Sequence, residues 1–236
     1  STRLPRAIRD VYKRQIKYYV NMLGGDDNTY RLKLPSPFNK ENLKVHISPI
    51  NIRYSYRKRT LSSVKDKICG FIKQQIGNYM IFSPSYAYME ELYSHMEESK
   101  LEEFNLMKQK PNMTEEEKSE FLRRFKNSNN LLMFCVLGGM FSEGIDLPGD
   151  QLIGSIIIGV GYPMVDMTNE VIKDFYKEDG YDYAYVFPGI NKIQQAVGRV
   201  IRTETDKGRV LLIDDRYINN KYSVLLPNEW YPINKY

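Results

Sequence analysis

At 236 residues, the chain has room for one good-sized domain with appendages. Hydrophobic residues make up 42% and charged residues 27%, an ordinary globular balance. No apolar run nears the roughly 18 residues of a membrane span, and the N-terminus has no apolar core of the secretory kind. The formal charge is +5, but residues 1–15 hold Arg3, Arg6, Arg9, Lys13 and Arg14 against Asp10, a net +4, so the remainder (+5 less +4) is only +1. Any case for an acidic partner therefore rests on local patches. Asp10-Val11-Tyr12-Lys13-Arg14-Gln15 is also what one reading frame of a common sequencing-transposon end encodes, so residues 1–15 are set aside as an assembly artefact; a genuine basic arm is the alternative. Two cysteines, Cys69 and Cys135, stand far apart in unrelated contexts, which points to a reducing compartment, with no disulfide framework and no cysteine/histidine spacing for zinc.

Residues 16–60 read as irregular. Leu34-Pro35-Ser36-Pro37-Phe38 is a turn-rich opening, because proline fixes its own φ and restrains the residue before it. Val45-His46-Ile47 is a short alternating strand. Arg53, Arg57, Lys58 and Arg59 interleave with Tyr54 and Tyr56, a mixture that suits nucleic acid through charge and stacking, or a solvated loop. From Leu61 the pattern alternates. Val64, Ile68, Phe71 and Ile72 fall at helical spacing, Tyr79–Phe82 is a strand stopped at Ser83-Pro84-Ser85, and Tyr88, Leu92 and Met96 mark a second helix. Thr114 with Glu117 predicts a capping box ahead of a helix that buries Phe121, Leu122 and Phe125. Leu131–Leu137, Ile153–Val160 and Val210–Ile213 are apolar on both faces. Such runs alternating with helices predict one α/β domain over residues 61–216, a parallel sheet covered on both sides.

Two loops carry the chemistry. The first, Gly138-Gly139-Met140-Phe141-Ser142-Glu143-Gly144-Ile145-Asp146-Leu147-Pro148-Gly149, follows a buried strand at the carboxyl edge, where open α/β sheets place ligands. Gly139 and Gly144 have phosphate-loop spacing, but Ile145-Asp146 stands where Lys-Ser/Thr would be required, so it is no Walker A loop. Gly159-x-Gly161 reads as a strand-end turn. The second is Gln195-Ala196-Val197-Gly198-Arg199-Val200-Ile201-Arg202, ahead of a strand that ends in Asp214-Asp215. Helical spacing puts Gln195, Arg199 and Arg202 on one face, where two guanidiniums and an amide can grip phosphate oxygens or pair with surface acids. Gly198, expected inside that helix, costs about 1 kcal/mol relative to alanine, which suggests close approach of something.

Gln195-x-x-Gly198-Arg199-x-x-Arg202 resembles motif VI of superfamily-two helicases, in the form used by the XPD/DinG branch. Ser142–Asp146 resembles motif V of that branch, Phe82-Ser83-Pro84-Ser85-Tyr86 motif IV, and Leu34–Phe38 the segment that leads into the C-terminal lobe. The resemblance runs from about residue 16 to 216 in the expected order. It implies a RecA-like C-terminal lobe (61–236, after a leading segment, 16–60) of an ATP-dependent DNA helicase, with 5′-to-3′ polarity and a role in DNA repair or replication. Arg199 and Arg202 would be arginine fingers and Gln195 would position the nucleotide. Gly144, Asp146 and Gly198 would face nucleotide, and Ser85, Tyr86 and Ser142 would lie along single-stranded DNA or a duplex junction. Glu143 departs from the arginine common at its position in other branches, which puts a direct phosphate contact there in doubt. ATP and Mg2+ would be held mainly by an N-terminal lobe, because neither a Walker A loop nor an Asp-Glu box occurs here. An iron–sulfur cluster would belong to a longer protein. The expected protein is cytoplasmic and monomeric. The alternatives are a non-catalytic nucleic-acid-binding module that kept the fold, and a small-molecule enzyme; for the latter, His95 in a Glu-rich helix reads as a surface residue. Removal of residues 1–15 is expected to leave the thermal midpoint within a few degrees, and a large drop in a melting experiment would return that segment to the domain.

Overall fold

Strands that are apolar on both faces must be covered on both, and a computed structural model shows how this is done. It describes residues 15–26, 28–32, 34, 36–99, 101–142 and 145–236. Residues 1–14, Asp27, Lys33, Pro35, Lys100, Glu143 and Gly144 lie outside the described residues, and the nucleotide-facing role expected of Gly144 lies there with them. The strands are β1 (Leu43–Ser48), β2 (Tyr79–Ser83), β3 (Asn105–Lys108), β4 (Leu131–Val136), β5 (Gly154–Ile158), β6 (Gly208–Ile213) and β7 (Asn234–Lys235). They form one sheet in the order β3-β4-β2-β5-β6-β1-β7, and every pairing is parallel.

Successive side chains alternate between two cores, as a period of two requires. Tyr79, Ile81, Leu132, Phe134, Ile156 and Leu211 face one. Helices α2 (Arg57–Lys73) and α3 (Tyr86–Glu98) cover it with Val64, Ile68, Phe71, Leu92 and Met96. Met80, Phe82, Met133, Ile157 and Leu212 face the other. There α4 (Glu115–Lys126) contributes Phe121 and Phe125, and α6 (Phe187–Val197), which follows the short α5 (Met167–Tyr176), contributes Ile190, Ile193 and Ala196. The Thr114–Glu117 capping box forms on α4 as its spacing predicts. His95 is exposed, with Nδ1 2.8 Å from the Glu91 carbonyl oxygen of its own helix. Cys69 and Cys135 are both free thiols, and burial pushes the Cys135 thiol well up. Among the described residues, no helix is long and apolar enough to cross a membrane.

The sheet reaches beyond residues 61–216 in both directions. Strand β1 joins in register with β6, from Leu43 opposite Gly208 to Ser48 opposite Ile213, and β7 adds to β1. The segment read as irregular also contains a helix over 15–22 (α1). Tyr18 is the one buried residue of that stretch, against Tyr183 and Phe187, so α1 shows no apolar period to read. Gln15 donates from Nε2 to the Leu225 carbonyl at 3.3 Å. Edge strand β3 is only four residues long, too short to alternate legibly.

Asn78, fully buried just before β2, joins three connections at the amino edge. Its Nδ2 donates to the carbonyls of Phe125 (3.2 Å), Ser128 (2.6 Å) and Gln151 (3.2 Å), and its Oδ1 accepts from Leu131 N (2.9 Å). A buried group with this many partners is expensive to remove, because each partner keeps its desolvation cost. Asn78→Ala is expected to destabilise the fold by about 2–4 kcal/mol, read as a shift of the urea midpoint at constant m-value; a loss under about 0.5 kcal/mol would show that water replaces the side chain.

Candidate functional site

The glycine-rich loop begins where β4 ends. Gly138 has a φ of 76°, a left-handed conformation that glycine adopts without strain. Its N–H donates to Ser142 Oγ at 2.7 Å, Ser142 N donates to the Gly139 carbonyl at 2.8 Å, and Gly139 N donates to the Val136 carbonyl at 3.0 Å. Ser142 is therefore buried and its hydroxyl is used inside the loop. Because all strands run the same way, the chain then has to cross the height of the sheet to start β5, and residues 137–153 do so without an α-helix among the described residues. Phe141, Ile145 and Leu147 are buried along this path, with Phe141 stacked on Phe121 at a ring separation of 4.9 Å. From its position after a buried strand, the whole loop is expected at the carboxyl edge. That holds for Gly138–Ser142, whereas Gly149 reaches Asp206, just ahead of β6, with a bond of 3.2 Å.

The arginine segment departs from the expected helix. Helix α6 stops at Val197, and Gly198 is its C-cap, with its N–H on the Gln194 carbonyl. Gly198 is exposed at a helix end rather than enclosed within a helix, and a Cβ there would meet Gln194 O at 3.1 Å. The cause of the break is tertiary. Val200 and Ile201 are both buried, and Val200 packs so closely on Gly208 that a Cβ at 208 would lie 2.0 Å from its Cγ1. Gln195 is exposed on the last turn of α6, Arg199 lies in the turn and Arg202 in chain without regular secondary structure, so no single helical face carries the three.

The two guanidiniums nevertheless converge. Arg199 Nη1 donates to the Ile145 carbonyl oxygen at 2.9 Å, and Arg202 Nη2 donates to the same oxygen at 3.0 Å. Arg202 Nε also lies 3.8 Å from Asp146 Oδ1, a loose pair with the Asp146 side chain 78% exposed. The two arginines differ in access: Arg199 is 4% exposed, whereas Arg202 is exposed. Asp206, which belongs to none of the motifs, holds the turn together. It accepts Arg202 N and Thr203 N on one oxygen, and Thr203 Oγ1 and Gly149 N on the other. Burial pushes its carboxyl up, but these four donors outweigh that and hold it below the ordinary aspartate value of 3.8. The polar turn Thr203-Glu204-Thr205-Asp206 was the available signal, since aspartate commonly accepts from nearby backbone N–H groups.

At the opposite, carboxyl edge lie Ser85 and Tyr86. Ser85 caps α3, accepting from Tyr88 N at 3.3 Å. Tyr86 is part-exposed, and its hydroxyl accepts from Gln109 Nε2 at 2.5 Å. The other end of the buried Gln109 amide accepts Val136 N at 3.1 Å, so this glutamine joins Tyr86 to the strand that opens the loop. The predicted residues thus form two groups at opposite edges: Ser85, Tyr86 and Ser142 at one, and Asp146, Gly198, Arg199 and Arg202 at the other. Among the described residues, no three His, Cys, Asp or Glu side chains gather as a metal site.

Residues 68–233, well over half of the chain, match the family described as the helicase C-terminal domain. The chain is 29% identical over 232 residues to the ATP-dependent DNA helicase DinG of Photobacterium profundum, covering 94% of this chain and 32% of that protein. Over 187 residues it is 28% identical to the ATP-dependent DNA helicase chl-1 of Caenorhabditis elegans, covering 72% and 22%. It therefore spans about a third or less of these relatives' length. A solved XPD helicase structure superposes with a TM-score of 0.75 over 93% of this chain and 40% of that one, at 20% identity, a likeness of fold.

A carboxyl whose folded value is lowered adds stability above its unfolded value and loses it as pH falls through the folded one. Asp206→Asn leaves donors facing donors, so at neutral pH it is expected to cost about 1–3 kcal/mol. The gap to the parent should narrow as pH falls below 3.8. Urea unfolding across pH checks this, and a difference independent of pH would remove the charge from the explanation.

Proposed function

The chain belongs to the helicase C-terminal domain family, and from that premise we propose that it is the second motor lobe of an ATP-dependent DNA helicase, acting in DNA repair or replication with 5′-to-3′ polarity. The observation that carries the proposal is the shared Ile145 carbonyl, on which two guanidiniums meet at one end of a loop that starts beside Ser85 and Tyr86. The exposed residues of this segment suit the phosphate end of a nucleotide: the Arg202 fork, the Gln195 amide and the open backbone at Gly198. ATP supplies the phosphoryl group, and it and Mg2+ would be gripped chiefly by a preceding lobe.

Access divides the arginine roles. Arg202 is the finger, because its guanidinium can leave its loose pair with Asp146 for a phosphate at little cost, while Arg199 still donates to the Ile145 carbonyl. Arg199 is a positioning residue, because its buried fork braces Ile145 and so sets where Arg202 and Asp146 lie. Ser142 acts on DNA indirectly, by shaping the loop from within, while Ser85 and Tyr86 stand at the track itself. A closing nucleotide cleft would draw on Arg202, and the loop would carry the displacement to the other edge, which is the coupling that translocation requires. Two free cysteines accord with a reducing, cytoplasmic setting.

In a protein that carries this lobe together with a nucleotide-holding lobe, Arg202→Ala is expected to lower DNA-stimulated kcat by about 10³-fold or more while nucleotide affinity falls far less, because a finger acts on charge that develops in the transition state. The thermal midpoint should hardly move. Arg199→Ala should lower both kcat and the midpoint, since it removes a buried brace. Steady-state ATPase with saturating single-stranded DNA, beside thermal melts, reads all of this; near-normal turnover of Arg202→Ala would overturn the motor assignment.

A further inference from the structure

The mixed basic and aromatic stretch before α2 gains a definite geometry in the fold. Arg53, Tyr54 and Arg57 line a cleft at the carboxyl edge of the sheet, closed on its other sides by Pro84, Tyr162 and Arg216. At about 240 Å³ it is smaller than the roughly 300–1,000 Å³ of a small-molecule site, which suits part of a polymer rather than a whole ligand. Lys58 and Arg59 of the same stretch are exposed outside it.

The three arginines are not equivalent. Arg53 Nη1 is paired with Asp215 at 2.6 Å. Arg216 makes a two-point contact with the fully buried Asp214, Nε to Oδ1 at 2.9 Å and Nη2 to Oδ2 at 2.7 Å. Both charges are neutralised in place. Arg57 has no carboxylate partner among the described residues. Its Nε donates to the Ile52 carbonyl at 3.2 Å, which aims the fork, and its guanidinium carbon lies 5.8 Å from the ring centres of both Tyr54 and Tyr88. Tyr54 is 87% exposed, an open ring face beside a held cation. Pro84, on the cleft wall, immediately precedes Ser85, so the cleft continues the edge where Ser85 and Tyr86 stand.

We propose that this cleft holds one nucleotide of single-stranded DNA, with its phosphate on the Arg57 guanidinium and its base against the Tyr54 ring. The inference deepens the motor reading, since it extends the proposed DNA track past Ser85 toward α2. A planar fork whose Nη groups have no hydrogen-bond partner among the described residues suits a phosphodiester, and an exposed aromatic ring accepts any base face, so the site reads charge and stacking rather than sequence. The paired arginines shape the wall without adding net charge.

The test is fluorescence anisotropy of this chain with a labelled oligothymidylate, titrated across salt. Arg57→Gln is expected to weaken binding by about tenfold or more and to reduce the slope of log K against log salt by about 0.7, one phosphate contact on a single strand. Arg57→Lys should keep the slope. Tyr54→Leu should weaken binding by about five- to hundredfold with the slope unchanged, because it removes stacking and no charge. Tyr54 is open to solvent, so its variant decides the matter even if the Arg57 variants melt early. Parent-like affinity and slope in Arg57→Gln and Tyr54→Leu, or no binding by the parent, would overturn the cleft while leaving the Arg202 ATPase test untouched. Loss of binding here beside normal ATPase in Arg202→Ala would instead keep the cleft and remove the motor.

Discussion

In a sheet whose strands all run the same way, each connection must climb from the carboxyl edge back to the amino edge while covering apolar residues. Five of the six described connections contain an α-helix, although the one between β6 and β7 has only the four residues Asn220–Ser223. The connection between β4 and β5 uses a loop, with Phe141, Ile145 and Leu147 buried where a helix would have placed its apolar stripe. A helix would have consumed its own carbonyls in internal bonds. The loop leaves the Ile145 carbonyl to be satisfied by another segment, since a buried backbone oxygen needs a donor, and two arginines meet that need.

The same bond set separates a fixed part from a movable one. Burying the Arg199 guanidinium is costly unless it is hydrogen-bonded, so its contact with Ile145 is a structural commitment. Arg202 shares the acceptor from the exposed side, and its pair with Asp146 is worth only about 0–1 kcal/mol. Asp206 fixes the backbone on which Arg202 stands, through Arg202 N, and ties the loop end through Gly149 N. One loop is therefore tied at its amino-edge end to Arg202 and Asp206, and at its carboxyl-edge end to Val136 through Ser142, with Gln109 linking Val136 to Tyr86.

Periodicity and local chemistry determined much of this from the sequence alone. Runs apolar on both faces specified a covered parallel sheet, Thr114 and Glu117 specified a helix start, and the order of Ser85, Ser142, Arg199 and Arg202 along the chain carried the family resemblance, because each of these depends on residues close in sequence. Only the tertiary structure decided the rest. Helix α6 ends two residues before Arg199 because Val200 is drawn onto Gly208, a contact no helical wheel contains. Gly198 proved to be a cap, and the convergence of the arginines came from a turn and a distant carbonyl. Asn78, Gln109 and Asp206 look like ordinary polar residues in the sequence, and their importance arises from partners up to 73 residues away. Likewise nothing in the spacing separates the charges from Arg53 to Arg59, whereas in the fold Asp215 pairs with Arg53, Asp214 pairs with the adjacent Arg216, and Arg57 stands in the cleft with no carboxylate partner among the described residues. Burial and pairing between distant segments are long-range properties of the folded chain, and residue spacing does not encode them locally.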